Sequence, residues 1–209
     1  MSKTMRTFLL LALVVPLLSG CLGGPVPKDN FYRLLPMIPQ RILERPALKG
    51  IIEVQRFSAE GLSAGRELVY SKRDDPQSIQ TYGYHLWSDP PAVQIQDVLV
   101  RYLRAARAAD TVVTSDMRAL PDYVVQGRIK RFEQVLGTPP AVVAEIEMVL
   151  TTRDVDKPLM LKNYLIERRI GDDRPATAIR ELNMATEDVF AGFVADVSRL
   201  PVPSLEKRP

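Results

Sequence analysis

Cysteine, histidine and tryptophan are nearly absent from this sequence of 209 residues, which contains one of each. A single cysteine, Cys21, excludes both an intramolecular disulfide and a metal cluster built from cysteines. A single histidine, His85, excludes a metal site that needs several histidines. The phosphate-binding loops of the GxxxxGK and GxGxxG types are also missing, and no cofactor is predicted. We therefore expect a fold that is held together by its apolar core alone.

The sequence also has little excess of charge of either sign. It contains 28 basic and 25 acidic residues, and two of the basic residues, Lys3 and Arg6, precede the first apolar run. Nothing in this balance indicates binding to a nucleic acid.

The first twenty residues predict an export signal. Lys3 and Arg6 are followed by the apolar run from Phe8 to Leu18 and then by small residues, which is the order of a secretory signal. The run is eleven residues long, whereas a transmembrane helix needs roughly 20. We therefore expect residues 1–20 to be removed by cleavage.

The cleavage junction, Leu18-Ser19-Gly20-Cys21, resembles the lipobox of bacterial lipoproteins. This resemblance implies that Cys21 becomes the first mature residue and carries acyl chains such as palmitate, which suffice for stable membrane anchoring. The alternative, an ordinary signal peptide that happens to end at a small apolar cysteine, stays open.

Residues 21–29 then predict a lipidated cysteine and a flexible tether, since residues 22–29 contain two glycines and two prolines. Leu22 takes the position in which enteric bacteria use aspartate to retain lipoproteins at the inner membrane. By resemblance to that rule, we expect the periplasmic face of the outer membrane.

Residues 30–200 predict one α/β (α+β) domain, in which two helices cover a mixed, largely antiparallel sheet. Alternating apolar and polar residues predict six to eight strands: Asn30–Leu35, Gly50–Phe57, the hairpin Glu67–Ser71 with Ile79–Trp87, Thr111–Thr114, Tyr123–Val135, and the hairpin Val142–Thr152 with Leu159–Ile170. Helical spacing predicts two helices: one capped by Ser88 or Asp89 and ending near Ala109, and one from about Ala176 to Leu200. Pro36–Pro46 predicts a connection, and residues 201–209 a disordered tail.

The sequence offers no convincing arrangement of catalytic residues. His85 lies between Tyr84 and Leu86 on a predicted strand with no nucleophile elbow nearby, so packing among aromatic residues is the favoured interpretation. Three acidic pairs fall in predicted turns, where aspartate bonds to the backbone, which favours a turn role over metal binding: Asp74-Asp75, Asp154/Asp156 and Asp172-Asp173.

The densest feature of the chain is its aromatic group, which consists of Tyr70, Tyr82, Tyr84 and Trp87. One interpretation is packing of a hairpin against the first helix. The other is a surface for partner docking or lipid contact, because tyrosine and tryptophan suit positions with one apolar and one wet side. The sequence does not separate the two.

Several segments together resemble the ABC-type transport auxiliary lipoprotein family, which includes the lipoprotein of the paraquat-inducible operon. The resemblance is carried by the lipobox, Phe31-Tyr32-Arg33-Leu34, Ile52-Glu53-Val54 with Phe57, Leu68-Val69-Tyr70, and Tyr82-Gly83-Tyr84-His85-Leu86-Trp87-Ser88-Asp89-Pro90-Pro91 followed by a helix. The motifs are structural, so the family transfers no catalytic residue.

This resemblance implies a non-enzymatic accessory subunit whose partners are an MCE-domain protein and, through it, an ABC permease and ATPase. Several copies of the subunit could assemble. Two alternatives stay open: a periplasmic carrier that holds an acyl chain in a cavity of several hundred Å³, and a hydrolase, which would have to depend on His85.

Overall fold

The computed structural model describes residues 27–35, 37–153 and 158–201. The predicted signal, Cys21, most of the tether, Asp154, Asp156 and residues 202–209 lie outside the described residues, so the predictions made for them stay predictions. In chain order the elements are β1 (Asn30–Tyr32), β2 (Leu48–Val54), β3 (Ser58–Ala59), β4 (Glu67–Lys72), β5 (Asp75–Trp87), α1 (Pro91–Ala106), β6 (Ala109–Thr114), β7 (Tyr123–Leu136), β8 (Ala141–Thr152), β9 (Met160–Arg169) and α2 (Pro175–Val197). Short 3-10 helices span Gly61–Ala64 and Ser115–Met117.

The described strands form one curled, mixed sheet with β7 at its centre. One edge of β7 pairs along almost its whole length with β8, which is antiparallel to it. The other edge is shared in succession by β2, β3 and β4, each parallel to β7. β6 and β1 complete the sheet beside β2 and β5, also in parallel.

Parallel pairing therefore dominates, and the predicted largely antiparallel sheet is wrong: five of the eight described strand pairings are parallel. Residue alternation indicates a strand and its buried face, but not the direction of a partner that is distant in the sequence. Hairpins are local, and both predicted hairpins, β4–β5 and β8–β9, are confirmed.

The core lies between the sheet and the two helices. On β8 the residues that face this core are alternate and almost fully buried: Val142, Ala144, Ile146, Met148 and Leu150. The rings of Tyr102 on α1 and Phe190 on α2 lie 5.5 Å apart, so the helices share the same core. In the described part of the chain, no helix is long and apolar enough to cross a membrane.

The limits of α1 differ from the predicted ones. Pro90 occupies the N-cap position without a side-chain cap, so neither Ser88 nor Asp89 plays the predicted capping role. Pro91 begins the helix, where its missing N–H costs nothing. Arg107 adopts the left-handed conformation, with φ of 57°, and ends α1 before Ala109, which instead begins β6.

The connection predicted over Pro36–Pro46 has no strand or helix among its described residues and runs beside the helices. The backbone N–H groups of Leu34 and Leu35 donate to the side chains of Gln94 and Asn183, each at 2.7 Å. The N–H of Leu43 donates to the last carbonyl of α1 at 3.1 Å. The chain is therefore held by both helices just before this segment, and by the end of α1 at Leu43.

Candidate functional site

The hairpin β4–β5 contains a large β-bulge. Glu67 lies opposite Leu86, whereas Val69, two residues later, lies opposite Thr81. Four residues of β5 therefore face the single residue Leu68 of β4. Bulges redirect side chains and are frequent beside functional sites. We call residues 82–85, Tyr82-Gly83-Tyr84-His85, the aromatic bulge.

Aromatic rings from three strands meet at this bulge. The ring centroids of Tyr70 and Tyr82 lie 4.5 Å apart. Tyr82 meets His85 edge-on at 5.6 Å, and His85 stacks on Tyr32 of β1 at 5.8 Å. Such contacts each add about 0.5–1.5 kcal/mol beyond burial, so the rings hold the bulge in one shape.

Tyr82 is the fixed member of the group. Its hydroxyl donates to Gln134 Oε1 at 3.1 Å, and Gln134 Nε2 donates to the carbonyl of Asp173 at 2.8 Å. Burial, with smaller contributions from Tyr70 and Asp173, raises the pKa of Tyr82 to about 12. The phenol therefore stays protonated at neutral pH and keeps its hydrogen bond.

His85 packs among aromatic residues, as the sequence favoured. Its Nδ1 lies 2.8 Å from the hydroxyl oxygen of Tyr32. Among the described residues, no three His, Cys, Asp or Glu side chains come together in a way that could hold a metal ion.

Asp172 shows the turn role predicted for the acidic pairs. Its carboxylate accepts hydrogen bonds from the backbone N–H of Arg174 at 2.9 Å and from the Arg174 guanidinium at 2.6 Å. These bonds hold the pKa of Asp172 well below its usual value.

Trp87 belongs to the core rather than to a surface. It is 1% exposed, and its ring centroid lies 5.4 Å from that of Phe132 on β7. This burial agrees with the hairpin-packing interpretation for Trp87 and leaves it no surface to offer a partner. Tyr84, at 43% exposure, is the most accessible of the four predicted docking residues, whereas Tyr70 and Tyr82 are partly buried.

β1, the first strand of the described chain, lies directly beside the aromatic bulge. Asn30 pairs with His85 in the β1–β5 ladder, and its side-chain amide donates to the carbonyl of Tyr84 at 3.2 Å. The next residue, Phe31, is 59% exposed, and the guanidinium of Arg66 lies 5.5 Å from its ring centroid. A strand was predicted over Asn30–Leu35, but no local signal linked β1 to a partner more than fifty residues away.

These features define the class of protein: a mixed α+β domain whose N-terminal strand pairs with the sheet beside the aromatic bulge. The sequence model of the ABC-type transport auxiliary lipoprotein component matches residues 32–192, and the chain belongs to this family.

Solved structures show the same fold. Protein XCC0632 from Xanthomonas campestris is 18% identical, with a TM-score of 0.70 over 81% of this chain and 95% of that one. An uncharacterized protein of known structure is 16% identical, with a TM-score of 0.65 over 82% of this chain and 99% of that one. No curated protein matches the sequence.

Proposed function

We propose that this auxiliary transport component is a lipid-anchored, non-enzymatic subunit that docks an MCE-domain protein at the periplasmic face of the outer membrane. The aromatic bulge is the proposed docking surface. The observation that carries this proposal is the position of the bulge at the entry of the chain, next to the predicted tether. An ABC permease and ATPase would be reached through the MCE protein.

The tether limits where docking takes place. Eight residues, 22–29, lie between Cys21 and Asn30. An extended chain spans at most about 3.3–3.6 Å per residue, so the tether reaches no more than about 30 Å. Because Asn30 pairs with His85, the same limit applies to the aromatic bulge. A lipid on Cys21 would therefore hold this surface close to the membrane in which the lipid is anchored.

The chemistry of the bulge suits a protein partner. Tyrosine is enriched at interface cores because it contributes a large, rigid area and a hydroxyl. The stack of Tyr70, Tyr82 and His85 orders the surface before binding, which lowers the entropic cost of association. Tyr84 then offers an exposed ring on a rigid support.

The alternative role, an acyl-chain carrier, would need an apolar cavity of several hundred Å³ between the sheet and the helices. The apolar groove between Arg41, Leu43, Tyr102 and Val194 has a volume of about 170 Å³. Ligand cavities for molecules of drug size or larger begin at about 300 Å³. This groove gives the carrier role no support.

The proposal is tested by crosslinking the lipidated protein in intact envelopes, purifying it, and identifying bound proteins and lipids by mass spectrometry. We expect an MCE-domain protein with the native chain and with the control Leu165→Ala, which alters an exposed apolar residue of β9. Tyr84→Ala should lose this partner. Stoichiometric phospholipid without an MCE protein would overturn the proposal and support the carrier.

Anchoring is tested separately. We expect mass spectrometry of the N-terminal peptide to show acyl chains on Cys21, and the protein to sediment with outer-membrane vesicles. Cys21→Ser should release it from the membrane fraction. An unmodified Cys21, or sedimentation with the inner membrane, would contradict the proposed localisation.

A further inference from the structure

A second concave site lies away from the aromatic bulge, where the parallel strands β2 and β6 end. It is a cleft of about 580 Å³ between one flank of α1 and the 3-10 helix Ser115–Met117. In mixed α/β sheets, the crevice beyond the carboxyl ends of parallel strands is a frequent ligand site. The lining residues decide what this cleft could bind.

Three arginines converge on the cleft. Arg101 and Arg104 lie one turn apart on α1, and Arg56 follows β2. No ion pair joins any of the three to a carboxylate of the described chain, whereas Arg73, Arg131 and Arg168 elsewhere have such partners within 3.2 Å. Like charges one helical turn apart are mutually destabilising. Because none of the three guanidiniums is engaged in a close ion pair of the described chain, their N–H donors favour an anionic ligand.

Arg104 is held in position before any ligand arrives. Its Nε donates to the carbonyl of Val112 at 2.8 Å, and one Nη contacts the sulfur of Met117 at 3.9 Å. A guanidinium has five N–H donors, so three remain available. Beside it, buried Gln96 donates to the carbonyl of Val54 at 2.9 Å and ties α1 to the end of β2. The wall of the cleft is thus fixed.

The charge of the cleft limits the ligand further. Two carboxylates, Asp97 and Asp116, also line it, so the net charge of the lining is +1. Hydrogen bonding from Thr114 and the nearby charge of Arg56 hold the pKa of Asp116 below its usual value, which keeps it ionised. A monoanion complements this lining better than a dianion.

We propose that the cleft of Arg56, Arg101 and Arg104 binds a phosphodiester monoanion, the group shared by phospholipid headgroups and free glycerophosphodiesters. Guanidiniums recognise phosphate oxygens with paired N–H donors. Two guanidiniums from α1 and one from the end of β2 can contact several oxygens of a tetrahedral anion, whereas one guanidinium alone satisfies a planar carboxylate. This inference deepens the proposed transport role by naming a chemical class that the subunit contacts, and it rests on that role for the choice of lipid probe.

The test is calorimetric titration of the full-length lipidated protein in a nonionic, phosphate-free detergent at low salt. The probes are glycerophosphoethanolamine, dihexanoylphosphatidylethanolamine below its micellar concentration, and acetate. We expect saturable binding of both phosphodiesters and at least tenfold weaker binding of acetate. Tighter binding of the short-chain lipid than of the headgroup would identify a lipid as the source, and equal binding would identify the free phosphodiester; both results support the site.

Two variants remove cleft charges, and one controls for total charge. Arg56→Gln and Arg101→Gln should each weaken phosphodiester binding at least tenfold. Arg180→Gln, which removes the same charge from an exposed position on α2, should leave it unchanged. Unchanged thermal unfolding verifies that the variants fold. Absence of binding, equally tight acetate, or an equal loss with Arg180→Gln would overturn the inference. The titration needs no MCE partner, so its failure is distinguishable from failed docking.

Discussion

The two β-hairpins of this molecule, β4–β5 and β8–β9, differ in the regularity of their strand pairing. In β8–β9, ten consecutive residue pairs follow one another without a register shift. In β4–β5, the register shifts twice, and one shift creates the aromatic bulge. The regular hairpin forms the surface against which α2 packs, whereas the bulge of the irregular one takes Tyr82 and Tyr84 out of the paired ladder. The regular hairpin is thus part of the structural scaffold, and the irregular hairpin carries the candidate site.

The supports of the two hairpins differ accordingly. β9 is tied to α2 by polar contacts, since Tyr164 and Lys162 both donate to Asp196, at 2.8 and 2.6 Å. The β4–β5 hairpin is held by Trp87 in the core, by Tyr82 bound to Gln134, and at its tip by Arg73, which donates to Glu167 of β9 at 3.0 Å.

Among the substitutions that test this comparison, replacement of Trp87 should have the largest effect on the free energy of unfolding. Trp87→Ala opens a cavity beside Phe132, and we expect a loss of about 3–5 kcal/mol in the free energy of unfolding. Urea denaturation followed by circular dichroism measures it, because the variant has no tryptophan to report by fluorescence. The neighbouring Tyr84→Ala serves as the control. Equal losses for the two would mean that the bulge is part of the core.

The tie between β9 and α2 should have an intermediate effect. Asp196→Asn weakens two charge-assisted hydrogen bonds, and we expect a loss of about 1.5 kcal/mol at pH 7. Burial alone would raise the pKa of Asp196, but hydrogen bonds from Lys162 and Tyr164 outweigh it and hold the pKa below its usual value.

The stability from Asp196 is therefore present above the pKa of an unfolded aspartate and is lost as the pH falls through the lower folded value. The difference in urea midpoint between the native chain and Asp196→Asn should shrink as the pH falls below about 4. A difference that persists unchanged at pH 2 would contradict the role of the ionised carboxylate.

Tyr82 should give a smaller, pH-dependent effect. Its pKa of about 12 exceeds the value of an unfolded tyrosine, near 10. Between these values the unfolded chain ionises while the folded phenol stays neutral, so the native chain loses stability as the pH rises. Tyr82→Phe should lose about 1 kcal/mol at pH 8 through its hydrogen bond. Its urea midpoint should then fall less steeply between pH 9 and pH 11, and an equal slope would contradict this account.

Exposed positions of both hairpins should show the smallest effects on folding. Tyr84 and Leu165 are 43% and 56% exposed, and surface substitutions of this kind change stability by about 0.5 kcal/mol or less. Thermal unfolding of Tyr84→Ala and Leu165→Ala measures this. A large loss in either variant would show a packing role for that side chain and disqualify it as a probe of docking.

The sequence predicted the elements better than their arrangement. Alternation and helical spacing identified both hairpins and both helices, because these patterns are local. The parallel pairing of β2, β3 and β4 along β7 left no local trace, since each partner lies far along the chain. Ser88 and Asp89 had the right chemistry for a cap, but Pro90 took the capping position.

The candidate site was predicted in composition but not in geometry. Tyr70, Tyr82 and Tyr84 stood out as aromatic residues, yet the bulge that separates exposed Tyr84 from buried Trp87 depends on the register of two strands. The arginine cleft was missed altogether. Arg56 and Arg101 are ordinary charged residues in the sequence, and only the fold brings them to one concavity.

The central claim, that the bulged hairpin rather than the regular one meets the partner, is tested most directly by site-specific photocrosslinking. A photoreactive residue would replace Tyr84 in one protein and Leu165 in another, and each would be irradiated in intact envelopes. The account predicts an adduct with an MCE-domain protein from position 84 and none from position 165. An adduct from position 165 alone would contradict it and assign docking to the β8–β9 hairpin.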